Sequence, residues 1–271
     1  MNHTASDPRA KSVAIIPARY ASTRLPGKPL LDIAGRPMII HVVERALSAR
    51  NVARALVATD DRRVLEAVRG AGFEALMTRG DHASGSDRLA EAAAALEDAD
   101  VIVNVQGDEP LISPLTIERA IDELINDREA QVVTSCEAIT DAADVLSADV
   151  VKVVSDSRGR ALYFSRSPVP FPRDAVRRHG TLEAALRNEP GLLSLFRKHT
   201  GLYAYRRGFL LKYAGWPRSA LENAEALEQL RALERGATIR VFETDTPSIG
   251  VDTIADLERV RALIFEAEPK S

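Results

Sequence analysis

Short apolar runs alternate with longer amphipathic stretches along most of this chain. Val13–Ile16, Ala55–Thr59, Ala75–Met77, Val101–Val105 and Val132–Ser135 are compact, apolar and often β-branched, which predicts buried strands. Between them, Met38–Ala49, Asp61–Gly70, Ser86–Leu96 and Leu115–Asn126 are long enough for helices. This alternation predicts an α/β fold, with a mostly parallel sheet flanked by helices. Val151–Val154, Ala161–Ser165 and Thr200–Tyr205 come next with less helix between them and read as a smaller subregion added to the sheet. Leu221, Ala224, Leu227, Leu230 and Leu233 recur at three- and four-residue steps and predict one helix over Ala220–Arg235. Thr238–Phe242 reads as a strand and Thr253–Phe265 as a closing helix.

The punctuation completes the outline. Arg166–Lys198 has prolines at 168, 170, 172 and 190 and a polar middle. It reads as a mobile flap or as an ordinary surface excursion. Residues 1–11 are polar and lack the apolar core of a secretory signal. Residues 266–271 are similar. Both are expected to be flexible tails on a single domain covering 1–271.

The chemistry concentrates in the loop after the first strand, Ile16-Pro-Ala-Arg-Tyr-Ala-Ser-Thr-Arg-Leu-Pro-Gly-Lys28. Arg19, Arg24 and Lys28 are its cations, with Ser22, Thr23 and Gly27 among them. Pro26 and Pro29 bar a regular helix. Backbone amides, hydroxyls and guanidinium forks in such a loop suit a polyphosphate. The Walker pattern fails, because Ser22 stands where its first Gly belongs and Pro29 follows the Lys. No Gly-x-Gly-x-x-Gly follows the strand, so a dinucleotide site is unsupported.

Two further features sit beside predicted strand ends, where open parallel sheets bind ligands. Gln106-Gly-Asp-Glu-Pro110 follows the run Val101–Val105, and Gly250-Val-Asp-Thr253 precedes the last helix. Asp108 fits a turn residue or a ligand. Asp252 fits the N-cap of the final helix or a second carboxylate. Two carboxylates beside a basic loop make sense where a hard cation and a polyphosphate meet. Mg²⁺ is usually held by one or two carboxylates plus substrate phosphates and water. The five histidines are scattered, without zinc spacing. The residues therefore predict an Mg²⁺-dependent enzyme acting on a nucleoside triphosphate.

Composition narrows the partners. Net charge is −3, from 36 Lys+Arg against 39 Asp+Glu, which gives no drive toward nucleic acid or an acidic membrane surface. No apolar run approaches the roughly 20 residues that span a bilayer. The single cysteine, Cys136, excludes an intramolecular disulfide and fits a reducing, cytoplasmic setting.

The run Ile16–Leu30 closely resembles the opening of the 3-deoxy-manno-octulosonate (KDO) cytidylyltransferase family. The resemblance continues in Val57-Ala-Thr-Asp60, Met77–Glu91, Val103–Pro110, Ala161-Leu-Tyr-Phe-Ser-Arg166, Leu227-Glu-Gln-Leu-Arg231 and Gly250–Thr253. Ordered blocks from about residue 12 to 265 are far more specific than one short motif.

The resemblance implies a Rossmann-like nucleotidyltransferase fold whose added subregion serves sugar binding and dimerisation. It also implies a homodimer, Mg²⁺ as cofactor, CTP and KDO as substrates, and transfer of CMP to the sugar's anomeric hydroxyl for lipopolysaccharide synthesis. Carried over by position, Arg19, Ser22, Arg24 and Lys28 match the triphosphate loop. Arg79, Ser84 and Gly85 match the cytidine segment. Asp108 and Asp252 match the metal carboxylates. Gln106, Arg166, His199, Tyr203 and Glu222 match the sugar-acid contacts.

Departures fall mostly on the sugar side. Asn223 and Ala224 stand where relatives often carry His and an aliphatic residue, Ser167–Pro172 is atypical, and 172–198 is longer than in many relatives. Ala83 replaces a common Gln beside the nucleotide segment. These leave room for another acid sugar, such as 8-amino-KDO or a sialic acid. A non-catalytic nucleotide- or sugar-binding module would require a lost carboxylate or cation, and Asp108, Asp252, Arg24 and Lys28 are all present. Other residues have plainer readings. His41 and Cys136 read as buried structural residues, His82 and Glu109 as loop residues, and Trp216 as a packing or dimer contact.

Overall fold

A computed structural model describes residues 12–21, 25–82 and 84–267. Ser22, Thr23, Arg24 and Ala83, and the two expected tails apart from Glu266 and Ala267, lie outside them. The chain packs as two compact units. The first draws its described residues from 1–125, 202–215 and 246–271, and the second from 126–201 and 216–245.

The first unit is built on parallel strands. Ser12–Ala18 pairs with Arg54–Thr59 on one side and Val101–Asn104 on the other, and Glu74–Met77 extends the sheet beyond Arg54–Thr59. Leu202–Arg206 ends the strand Arg197–Arg206 and runs antiparallel to Val101–Asn104, with Tyr203 opposite Asn104. Val13, Ala14, Ile15 and Ile16 are essentially fully buried, as expected for a strand covered on both faces. The helix Met38–Leu47 buries Met38 through Val43, His41 included. The His41 ring lies 2.9 Å from the Ile33 carbonyl, a satisfied structural histidine. Among the described residues, no helix is long and apolar enough to cross a membrane.

In the second unit, Val132–Ala138 runs parallel to Ile239–Glu243, and Lys152–Ser155 is antiparallel to Ala161–Ser165. Cys136 is buried here. The segment Arg166–Lys198, read as a mobile flap or an ordinary surface excursion, carries secondary structure. It contains the helices Arg173–His179 and Leu182–Asn188 and a 3-10 stretch, Pro190–Leu195. Leu186 and Phe196 bury themselves with Ile139 and Val145. Gly180, at φ 86°, makes the turn between the helices, and the Thr181 hydroxyl caps the second one.

The single helix expected over Ala220–Arg235 is two helices, Ala220–Glu225 and Gln229–Glu234. Ala226 adopts φ 52°, a left-handed cap that ends the first one. The break lets Leu227 and Leu230 be buried while Leu221 stays exposed.

Candidate active site

The carboxyl ends of two adjacent parallel strands create the site. Ser12–Ala18 delivers Arg19, and Val101–Asn104 delivers Gln106-Gly107-Asp108. Val105 N–H donates to the Ile15 carbonyl, so the two ends stay in register for one further residue. Gly107 then passes so close that a Cβ there would lie 2.8 Å from the Pro17 carbonyl oxygen. Only glycine fits without moving backbone.

Lys28 enters from a 3-10 turn, Lys28–Leu30, preceded by Gly27 at φ 71°. Asp252 enters from the loop before the helix Ile254–Ala267. It does not cap that helix. Thr253 Oγ1 accepts from Asp256 N–H at 3.2 Å, and Asp256 Oδ2 accepts from Thr253 N–H at 2.8 Å. This reciprocal box satisfies the helix start and leaves the Asp252 carboxylate to face Lys28. Val251 N–H donates to the Asp108 carbonyl at 2.9 Å and ties the two acidic loops together.

The outcome is a three-residue ionic bridge. Lys28 Nζ donates to Asp108 Oδ2 at 2.6 Å and to Asp252 Oδ1 at 3.0 Å. Burial works against the ammonium, but the charge and hydrogen bond of Asp108, reinforced by Asp252, outweigh it and hold Lys28 above its usual pKa. The bridge borders a cavity of about 360 Å³ that Arg19, Gln106 and Gly107 also line. Lys28, Asp108, Asp252, Arg19 and Gln106 are therefore brought together as expected, whereas Ser22 and Arg24 lie outside the described residues.

Arg19 also reaches the segment matched to cytidine. Its Nη2 donates to the carbonyls of His82, at 3.0 Å, and Ser84, at 3.3 Å. Ser84 caps the helix Gly85–Ala94 by accepting from Asp87 N–H. The Arg79 side chain is mostly exposed, near Asp81 and Glu91. His82, read above as a loop residue, and two residues that sequence reasoning passed over hold this segment. The buried His82 ring is hydrogen-bonded to Glu91, which also accepts from Arg79 N–H. The fully buried Arg88 donates to Thr78 and Asp60. Glu91 and Arg88 stand inside the Met77–Glu91 block, and that block was the available signal.

Of the residues matched to the sugar acid, Tyr203 lies in the first unit, stacked on Tyr205 with ring centroids 5.6 Å apart. Arg166, His199 and Glu222 lie in the second. His199 Nε2 is 2.9 Å from the Thr134 hydroxyl, and its ring meets Phe164 edge-on. Burial pushes the His199 pKa down to about 3. Glu222 is buried. It closes a capping box with Ser219 and lies 3.0 Å from Arg231 Nε. Arg231 also donates to the Trp216 carbonyl, and the Arg235 guanidinium lies over the Trp216 ring.

The cytidylyltransferase family model matches residues 13–239. The 3-deoxy-manno-octulosonate cytidylyltransferase of Trichlorobacter lovleyi is 53% identical over 252 residues, covering 92% of this chain and 96% of that protein. The chain belongs to the 3-deoxy-manno-octulosonate cytidylyltransferase family. The Escherichia coli member is 49% identical over 257 residues, covering 95% of this chain and 97% of its own length. A solved structure of CMP:2-keto-3-deoxy-manno-octonic acid synthetase complexed with CTP superposes with a TM-score of 0.84. It is 49% identical and covers 94% of this chain and 99% of that one. A nucleotidyl transferase from Methanothermobacter, at 17% identity and TM-score 0.59, shares the fold.

This cytidylyltransferase has a donor set that suits a hard cation. Two carboxylates already share one positive charge, on Lys28, and all their donor atoms are oxygen. Among the described residues, no group of three or more His, Cys, Asp or Glu side chains is arranged to hold a metal. Two carboxylates supplemented by substrate phosphates and water are the usual Mg²⁺ arrangement.

Proposed function

We propose that this enzyme transfers CMP from CTP to the anomeric hydroxyl of KDO, releasing pyrophosphate, as a cytoplasmic Mg²⁺-dependent homodimer serving lipopolysaccharide synthesis. The observation that carries the reading is the Asp108–Lys28–Asp252 bridge at the ends of the central strands, in a chain about half identical to relatives named for this reaction.

The sugar oxygen forms a bond to the α-phosphorus as the bond to the β-phosphate oxygen breaks, and the hydroxyl proton passes to solvent. Positioning and charge neutralisation carry most of the catalysis in such transfers. Arg19, Ser22, Arg24 and Lys28 bind the triphosphate, and Lys28 and Arg24 neutralise the departing pyrophosphate. Arg79, Ser84 and Gly85 bind the cytidine, with the small residues allowing close backbone approach. The resemblance assigns Gln106 and Tyr203 in the first unit, and Arg166, His199 and Glu222 in the second, to the acid sugar. Glu222 Oε2 is held by Ser219 N–H and Arg231, while Oε1 lies 4.0 Å from Arg218 Nε. Asp108 and Asp252 hold Mg²⁺, which when bound supplies positive charge that acidifies the attacking hydroxyl.

The test is pyrophosphate release from CTP and Mg²⁺ with KDO, with 8-amino-KDO, with a sialic acid and without an acceptor. Release that depends on KDO supports the reading. Release that is absent with KDO, or equal without it, overturns it. The altered residues Asn223 and Ala224 favour testing the other two acceptors, and a preference for either would reassign the substrate.

A further inference from the structure

Arg166 is gripped through its own peptide and its own side chain. Its N–H donates to Glu225 Oε2 at 2.9 Å, and its carbonyl accepts from Lys152 Nζ at 2.6 Å. Its Nε donates to the Glu225 carbonyl at 2.7 Å, and its Nη1 to the Ala148 carbonyl at 2.9 Å. No acceptor among the described residues meets Nη2.

The grips are themselves anchored. Glu225 Oε1 accepts from the Ser165 hydroxyl at 2.7 Å and, more distantly, from Tyr163. Lys152 is fully buried, and its ammonium also donates to the carbonyls of Ser147 and Val150, at 2.7 and 2.6 Å. A buried ammonium whose acceptors are backbone carbonyls is unusual for structure alone, because buried charges are normally paired. Burial and the nearby Arg166 charge both pull Lys152 below its usual pKa, partly opposed by Glu225 and Asp144. Glu225 and Asp144 set two carboxylates against the charges of Lys152 and Arg166, so the position for an anion follows from the geometry, with Nη2 as the open edge of the guanidinium.

We propose that Lys152 and Glu225 are positioning residues that lock Arg166 so its guanidinium presents one fixed edge to the carboxylate of the acid sugar. The inference rests on the reading of Arg166 as a sugar-acid contact. Lys152 supports one end of the Arg166 peptide and adds a fixed positive charge. Glu225 supports the other end and directs the side chain through its own carbonyl.

The test compares kcat/KM for KDO with that for its neutral carboxamide, in the full chain, for wild type and for Lys152→Met, Glu225→Ala and Arg166→Ala. A merely structural defect lowers both values alike. The positioning role predicts that the preference for the acid collapses by roughly 10- to 100-fold in all three variants, the scale of cost when a group is misplaced by about 1 Å. CTP affinity by calorimetry should stay within about twofold, since the triphosphate residues are unchanged. If Arg166→Ala keeps the preference, the reading of Arg166 is wrong. If Arg166→Ala loses it while Lys152→Met and Glu225→Ala keep it, Arg166 stands and the positioning role is overturned. Should Lys152→Met fail to fold, Glu225→Ala and Ser165→Ala carry the same comparison.

Discussion

The Lys28 ammonium lies 2.6 Å from Asp108 Oδ2, across 80 positions of sequence. Asp252 completes the bridge from the other end of the chain. A lysine between two carboxylates holds their charges in check. On the proposed reading it gives them up to Mg²⁺ and turns to the phosphates when both bind.

That arrangement makes a two-sided prediction for Lys28→Met. Mg²⁺ alone should bind more tightly than to wild type, because the competing ammonium is gone. CMP transfer should fall by on the order of 10²–10³, the usual cost of removing one placed electrostatic donor. Calorimetry with Mg²⁺ and a turnover assay check the two halves. Unchanged Mg²⁺ affinity would remove Lys28 from competition for the carboxylates, and unchanged turnover would remove it from the reaction.

Gly107 supplies a steric prediction. A Cβ at Gly107 would stand 2.8 Å from the Pro17 carbonyl oxygen and 3.4 Å from Ile39 Cδ1. Gly107→Ala must therefore push Gln106 and Asp108 away from Lys28. Overpacking of this kind costs about 1–3 kcal/mol of stability, and turnover should fall by at least ~10-fold through lost positioning. Denaturant melts and steady-state kinetics read the two effects. Wild-type turnover would mean that the Asp108 placement is not critical.

His199 carries the pH prediction. Its pKa falls from the ordinary 6.5 to about 3 on folding, through burial. The unfolded chain therefore takes up the proton first. Stability from this residue is complete above pH 6.5 and is lost as pH falls toward 3. The imidazole should show a flat NMR titration between about pH 5 and 8, and His199→Gln should reduce the acid sensitivity of the denaturation midpoint. A His199 resonance titrating near its ordinary value contradicts the lowered pKa.

The strands and most helices were legible because short apolar runs and amphipathic stretches have distinct periods. The split at Ala226 was not, since nothing local marks an alanine for positive φ; the apolar steps run straight through it. The start of the last helix differs from its expected form for another reason. Asp252 is a fine capping residue in isolation, but Thr253 with Asp256 three positions later is the better box, and it frees Asp252 for the site. Prolines at 168, 170 and 172 suggest an open excursion, whereas burial of Leu186 and Phe196 folds the segment after them. Lys28, Asp108 and Asp252 stood out because each is a charged residue in a loop within two positions of a glycine, Gly27, Gly107 and Gly250. Lys152 and Glu225 were invisible because they meet the Arg166 backbone, Lys152 at its carbonyl and Glu225 at its N–H, and no side-chain pattern records such contacts.

The most direct test of the central claim is the mass of the product formed from CTP, Mg²⁺ and KDO, with Asp108→Asn alongside. The account predicts equimolar CMP-KDO and pyrophosphate from the wild-type protein, and neither from a folded Asp108→Asn variant. Absence of CMP-KDO with wild-type protein, or its undiminished formation by Asp108→Asn, would contradict it.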